Sequence, residues 1–237
     1  MTDIHCHILP GMDDGSASVG MSLEMLRMQA EQGMDAVVLT SHFYRHHEKP
    51  ERFLSRRASA WEKLRKALDA LPEEERSRIP KLFLGAEVAW VPNIEDLMDL
   101  SLFCIGRTKN LLLELPFRPW SDNMVTQIYD MMGHTGITPV IAHIERYEKA
   151  QRKELVLAVL SLGVPIQISA EMLLHPFSRG RALRLLRDGQ AHLIASDSHN
   201  TEERKPNMEP AITVIRKKLG GEFVRRMEQL TDSLSGI

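Results

Sequence analysis

Cysteine is scarce: the chain has two, Cys6 and Cys104, among 237 residues. Two thiols make no disulfide framework, so the fold must rest on its core, as suits a reducing compartment. Neither thiol has arginine six positions on, where Met12 and Asn110 stand instead. That removes the Cys-x5-Arg loop of cysteine-dependent phosphate chemistry. Long apolar runs are missing too. The longest uninterrupted one, Leu155 to Leu160, is far short of the ~18 residues of a membrane-spanning helix. Met1-Thr2-Asp3 carries no basic stretch and leads straight into a strand pattern, so no secretory signal is read and a cytoplasmic protein is expected. No charge sign dominates: 30 Lys plus Arg against 32 Asp plus Glu leave a formal net charge of -2. Without a basic field or an aromatic-basic strip for stacked bases, nucleic acid is not an expected partner and a nuclease module is disfavoured.

What is present is an ordinary core-forming composition, 43% hydrophobic and 26% charged, which excludes disorder and collagen-like repeats. Apolar runs rich in β-branched residues at 2–9, 35–42, 81–88, 110–115, 138–145, 165–170 and 191–198 predict seven strands. Apolar spacings of three and four predict helices over 18–32, 51–71, 120–135, 151–162, 176–189, 206–219 and 222–234. Gly33, Gly136, Gly163 and Gly189 each follow a helical stretch, as stop signals do. Alternating strand and helix without a dinucleotide fingerprint predicts a parallel α/β barrel, with 1–237 as a single domain. The charged, proline-bounded segment 72–80 reads as a solvated connection, and Met21, Met25 and Met28 as a helical core stripe.

In a parallel barrel the active site forms at the carboxyl ends of the strands. The polar residues at those ends are nearly all metal-ligand types: His5 and His7, His42, Glu87, Glu114, His143, then Asp197 and His199. Residues two apart on a strand share a face, so His5 and His7 point together and Cys6 points away into the core. A carboxylate in an apolar parallel strand is costly unless paired or metal-bound, which singles out Glu87 and Glu114. Asp13-Asp14-Gly15 has the composition of a turn or helix cap. Each residue alone has an ordinary structural explanation; unrelated structural roles do not explain all of them at one end of one barrel. His134, His175 and His192 lie away from those ends and read as structural.

The sequence His5-Cys6-His7 running into Leu9-Pro10-Gly11-Met12-Asp13-Asp14-Gly15 is followed in order by Thr40-Ser41-His42, Gly85-Ala86-Glu87, Leu113-Glu114, Ala142-His143-Ile144-Glu145-Arg146-Tyr147 and Ala195-Ser196-Asp197-Ser198-His199-Asn200. This series resembles the PHP superfamily, and more narrowly the bacterial metal-dependent protein-tyrosine phosphatases of capsule and exopolysaccharide clusters. The resemblance covers nearly the whole chain. It implies a distorted seven-stranded, TIM-like (β/α)7 barrel with three divalent metal ions, manganese by family preference. His5, His7, Glu87 and Asp197 would hold the first ion. Glu87 would bridge to a second held by Glu114 and His143, and Asp14, His42 and His199 would hold the third. The choice of Asp14 over Asp13 rests on the resemblance alone. Arg146 and Arg204 match phosphate-binding arginines, with Lys205 as the alternative to Arg204. The implied substrate is a phosphotyrosyl protein, the tyrosine-rich tail of a bacterial tyrosine kinase.

The donor set is all nitrogen and oxygen, which suits Mn, Fe or Zn. Four carboxylates against three divalent ions and two arginines would leave the pocket at about +4, a fit for a phosphate dianion. Chelation is then expected to destabilise the fold. The expected chemistry is direct hydrolysis by a metal-activated hydroxide, without a phosphoenzyme. A tyrosyl leaving group, with a pKa of about 10, needs little acid help, which His199 or a water could give. The segment Arg45-His46-His47-Glu48-Lys49, with Arg52, Arg56 and Arg57, is either solvated surface or a docking face for an acidic tail. The competing readings are a phosphatase of a small metabolite such as histidinol phosphate and a silent, metal-stabilised interaction protein; the complete set of nine ligands argues against the second.

Overall fold

In the computed structural model, which describes all 237 residues, strands and helices alternate along the chain. Nine short strands form: β1 (Thr2–Cys6), β2 (Ala36–Leu39), β3 (His42–Phe43), β4 (Lys81–Leu84), β5 (Glu87–Ala89), β6 (Asn110–Glu114), β7 (Thr138–Ile141), β8 (Gln167–Ser169) and β9 (Leu193–Ala195). All pairings are parallel, in the orders β1-β2-β4, β3-β5-β6-β7 and β8-β9. Strands of a parallel sheet covered on both faces read as near-continuous apolar runs, and Val37, Val38 and Leu39 of β2 are all fully buried. Isolated bridges join Cys6 to Ser198 and Ile141 to Ile166. Beside them, Asp197 N donates to His5 O at 2.9 Å and Ile141 N to Pro165 O at 3.0 Å.

Each of the seven predicted runs contains a strand, but two of them break, giving nine strands in three sheets where seven in one were expected. The run 35–42 divides into β2 and β3, and 81–88 into β4 and β5. At the break Glu87 N lies 3.2 Å from both Thr40 O and Ser41 O, while Gly85 N donates to Leu39 O at 3.0 Å. Gly85 permits the close approach: a Cβ there would stand 3.2 Å from Val38 Cγ1 and 3.3 Å from Thr40 Cγ2. The break turns the ends of both runs, and hence His42 and Glu87, toward one another.

The helices are α1 (Val19–Glu31), α2 (Pro50–Asp69), α3 (Glu73–Arg76), α4 (Ile94–Leu97), α5 (Met124–Thr135), α6 (Lys153–Leu160), α7 (Glu171–Leu174), α8 (Pro176–Arg187), α9 (Met208–Leu219) and α10 (Gly221–Ser235). Ser18 caps α1, its side chain accepting from Met21 N. Gly136 closes α5 at φ 64, a conformation cheap only for glycine. The four-residue α3 lies in the segment expected to be a plain connection; Arg27 Nε on α1 donates to its Glu75 at 2.7 Å. One cluster of 62 buried hydrophobic residues runs through the molecule. It includes Cys6, whose thiol donates to Val38 O at 3.2 Å, and Met25, with Met21 packed against it. Helix α10 packs on β1, where Thr2 Oγ1 donates to Asp232 Oδ1 at 2.9 Å.

Candidate metal centre

The alternation of β1 delivers His5 and His7 to one face, their Nε2 atoms 3.1 Å apart. His5 Nε2 stands 3.2 Å from Glu87 Oε2 and 3.3 Å from Asp197 Oδ1; His7 Nε2 stands 3.3 and 3.4 Å from the same two oxygens. Ligand atoms placed ~2.0–2.2 Å from one ion lie about 3.0–3.6 Å apart at tetrahedral or right angles, so the two imidazoles and Glu87 have the spacing of a coordination shell, with Asp197 Oδ1 within 3.4 Å of both imidazoles. The rings are held from behind. His5 Nδ1 pairs with Gln167 Oε1 at 2.9 Å and His7 Nδ1 with Asp13 Oδ2 at 2.8 Å, leaving each Nε2 facing the cluster.

Beside this set, His143 Nε2 lies 2.8 Å from Glu87 Oε1 and 3.7 Å from Glu114 Oε1. His42 joins the same two carboxylates: His42, Glu87 and Glu114 offer ligand atoms within 4.8 Å of one another, as do His7, Asp14, His42 and His199. Asp14 Oδ1 is 3.6 Å from His42 Nε2 and 3.5 Å from His199 Nε2. Of the two adjacent aspartates, then, Asp14 faces the cluster. Asp13 is taken up behind it, accepting from His42 N at 2.8 Å and Gly15 N at 3.1 Å besides its contact with His7. Gly15 packs against His7 so tightly that a Cβ would come 2.3 Å from His7 O.

Two of these residues sit on left-handed backbone, His143 at φ 32 and Asp197 at φ 51, an arrangement that concentrates at functional sites. The turn carrying Asp197 is fixed by buried Asp3, which accepts from Ser196 Oγ at 2.5 Å and Ser196 N at 3.1 Å. Asp197 Oδ2 accepts from Arg204 Nη2 at 3.0 Å and also pairs with Arg146. Both arginines therefore stand at the cluster's edge, whereas Lys205 is exposed.

Burial opposes the charge of Glu87, yet His5, His143 and His42 around it hold its carboxyl well below the usual range. Glu114 is pushed up by burial and by the charge of Glu87. Burial, with His7 beside it, lowers His199 to about 4, so its ring is neutral, the form that binds cations. His199 Nε2 is buried without a hydrogen-bond partner, a cost that a bound ion or water would relieve. The donor set thus fits divalent ions.

Gln167 and Tyr44 are not predicted from the sequence as parts of this site, and Asp13 enters there only as the alternative to Asp14. Tyr44 lies two residues after His42, so strand alternation could have found it; its hydroxyl is 3.2 Å from His42 Nδ1. Asp13 and Gln167 carry no such signal. Two clefts open here. One, of about 470 Å³, is bounded by Asp14, His42, Tyr44, His47, Arg52 and Arg56; the other, of about 420 Å³, begins at Glu114 and Tyr44. Of the basic residues after the second predicted strand, Arg56 is engaged by Glu48 and Met12 O, and Arg57 by Gly85 O and Leu102 O at 3.0 and 2.8 Å. His192 Nδ1 accepts from Ile166 N at 3.1 Å, away from the cluster.

Residues 1–231 match the family model for capsular polysaccharide synthesis, CpsB/CapC. The chain is 33% identical over 229 residues to the tyrosine-protein phosphatase YwqE of Bacillus subtilis, covering 94% of this chain and 87% of that protein. It is 30% identical over 243 residues to the tyrosine-protein phosphatase CpsB of Streptococcus pneumoniae, covering 96% and 94%. A solved structure from work on YwqE of Bacillus subtilis and CpsB of Streptococcus pneumoniae, described as unique metal-dependent tyrosine phosphatases, superposes with a TM-score of 0.83 at 28% identity, covering 100% of this chain and 94% of that one.

Proposed function

The chain belongs to the capsular polysaccharide synthesis family CpsB/CapC, and from that premise we propose that it is a metal-dependent phosphatase acting on phosphotyrosine in proteins. The observation that carries the reading is the convergence of His5 Nε2, His7 Nε2 and Glu87 Oε2 at 3.1–3.3 Å, with Asp197 Oδ1 within 3.4 Å of both imidazoles. We assign His5, His7, Glu87 and Asp197 to one ion, Glu87, Glu114 and His143 to a second, and Asp14, His42 and His199 to a third, with manganese as the metal. Divalent ions there supply Lewis acidity toward phosphoryl oxygens and lower the pKa of water.

The chain itself supplies cationic donors, orientation and the absence of a competing nucleophile. Arg146 and Arg204, already at the edge of the cluster, are the forks for the phosphoryl oxygens. Burial pushes the Cys6 thiol well up and that of Cys104 to about 11, so neither offers a thiolate nucleophile at neutral pH, in keeping with the direct hydrolysis assigned to this reading. His199, neutral with Nε2 unpartnered, is assigned as a ligand rather than as the acid; a tyrosyl oxygen with a pKa of about 10 leaves with little help.

The finer architecture in this reading is a distorted seven-stave barrel, β2 continuing into β3 and β4 into β5, with 1–237 as one cytoplasmic catalytic domain. We assign the tyrosine-rich tail of a bacterial tyrosine kinase as substrate. Arg52 on the wall of the larger cleft suits acidic peptide, while Arg56 and Arg57 are occupied within the fold.

The test compares a phosphotyrosyl peptide, a phosphoseryl peptide and histidinol phosphate, using metal-stripped protein with manganese added back. Manganese-dependent preference for phosphotyrosine, abolished by combined His5→Ala and His7→Ala substitution, is expected. Preference for histidinol phosphate would overturn the substrate assignment, and trapping of a phosphorylated enzyme would overturn direct hydrolysis.

A further inference from the structure

The smaller cleft differs in kind from the metal cluster it adjoins. Its walls are largely apolar, with Trp90, Val91, Leu115, Pro116 and Phe117 among them, and it holds about 420 Å³, room for an aromatic ring and part of a neighbouring side chain. It begins at Glu114, one of the assigned ligands, and Trp90 N donates to Glu114 O at 2.8 Å, so wall and ligand belong to one strand pair.

Phe117 is 53% exposed, and its neighbours on the loop are tied down by hydrogen bonds. Leu115 N donates to Tyr147 Oη at 2.9 Å, Trp120 Nε1 to Pro116 O at 2.8 Å, and Gln151 Nε2 to Arg118 O at 3.0 Å. The Phe117 ring stands 5.4 Å from that of Tyr147 and 6.1 Å from that of His143, the latter pair tilted by 17°. A half-exposed aromatic fixed in place beside a phosphoryl site is a preformed stacking surface, paid for in the fold and not at binding.

We propose that this cleft seats the aromatic ring of the phosphotyrosyl side chain, with Phe117 as its specificity-determining wall. The inference rests on the phosphatase reading above and adds what selects the ester. In an aryl phosphate the first ring carbon is two bonds from phosphorus, so a phosphoryl group at the cluster carries the ring to the cleft mouth at Glu114. A seryl ester puts an aliphatic carbon there, with no face to stack on Phe117.

Manganese-loaded wild type, Phe117→Ala and Phe117→Tyr are compared on a phosphotyrosyl peptide and a short alkyl phosphate, and by calorimetric binding of a peptide bearing a non-hydrolysable aryl phosphonate against inorganic phosphate. Phe117→Ala is expected to lower the aryl-over-alkyl ratio of kcat/KM about ten-fold, mainly through KM. It should weaken the aryl phosphonate relative to phosphate by a similar factor, and Phe117→Tyr should restore both. An unchanged ratio in Phe117→Ala, or equal loss on aryl and alkyl esters, overturns the proposal while leaving the phosphatase reading intact. Absence of phosphotyrosine turnover by the wild type, with the alkyl ester still hydrolysed, overturns the reading and the proposal together.

Discussion

Asp13 and Asp14 are neighbours in the chain with different partners in space. Asp14 is 65% exposed and turns toward His42 and His199; buried Asp13 braces His7 and the His42 backbone. A carboxylate behind a ligating imidazole fixes its tautomer and raises its basicity, so Asp13→Asn is expected to weaken metal binding about 10–100-fold without dismantling the cluster. Competition against a chelating dye reads this directly, and an affinity equal to wild type would show that His7 needs no such brace. The alternation of His5 and His7 and the acids at strand ends were legible because strand geometry has a period of two. The division of labour between Asp13 and Asp14 was not, because it depends on how the turn at Gly15 packs against His7 O, and nothing in residue order encodes that.

At the scale of the element, the ends of β7 and β9 matter most, since each is followed within two residues by left-handed backbone, at His143 and at Asp197. Outside glycine that conformation costs roughly 1–2 kcal/mol per residue. In metal-free protein, His143→Gly should therefore be more stable than His143→Ala by about 1 kcal/mol, although both lose the same imidazole. Equilibrium unfolding in denaturant measures the difference; an alanine variant as stable as the glycine one would mean that the backbone relaxes once the side chain is gone. The long helices α1, α2, α5, α8, α9 and α10 were legible in the spacing of their apolar residues. The breaks between β2 and β3 and between β4 and β5 were not: an apolar run reports burial, while the break is a change of hydrogen-bond partner. Single-turn α3, α4 and α7 are too short to leave a periodic signal.

Across the molecule, Asp14, Glu87, Glu114 and Asp197 draw in from strands and loops spread over most of the chain, and the charge of Glu87 together with burial raises the cost of ionising Glu114. Ions that bind only the folded state stabilise it by about 2.7 kcal/mol at a hundred-fold excess over Kd. For a chain of this size that corresponds to a fall in Tm of about 5–10 °C on stripping. Calorimetry before and after EDTA, with metal content measured, checks it; an unchanged Tm after complete metal loss would remove the cluster assignment. The parallel α/β character was legible from the alternation of elements, but sheet closure is a matter of long-range pairing, which local pattern does not carry.

That pairing also sets an order of assembly. β1 is lodged between β2 on one side and the 196–198 turn on the other, with His5 O accepting from Asp197 N and His7 N donating to Ser198 O at 2.8 Å. On the ribosome β1 emerges before any other strand, and that turn emerges after all of them. A nascent chain therefore carries His5 and His7 with one flank of β1 open and Asp197 still unmade until β9 has been synthesised, and the cluster of imidazoles and carboxylates closes only when the turn after that strand has docked.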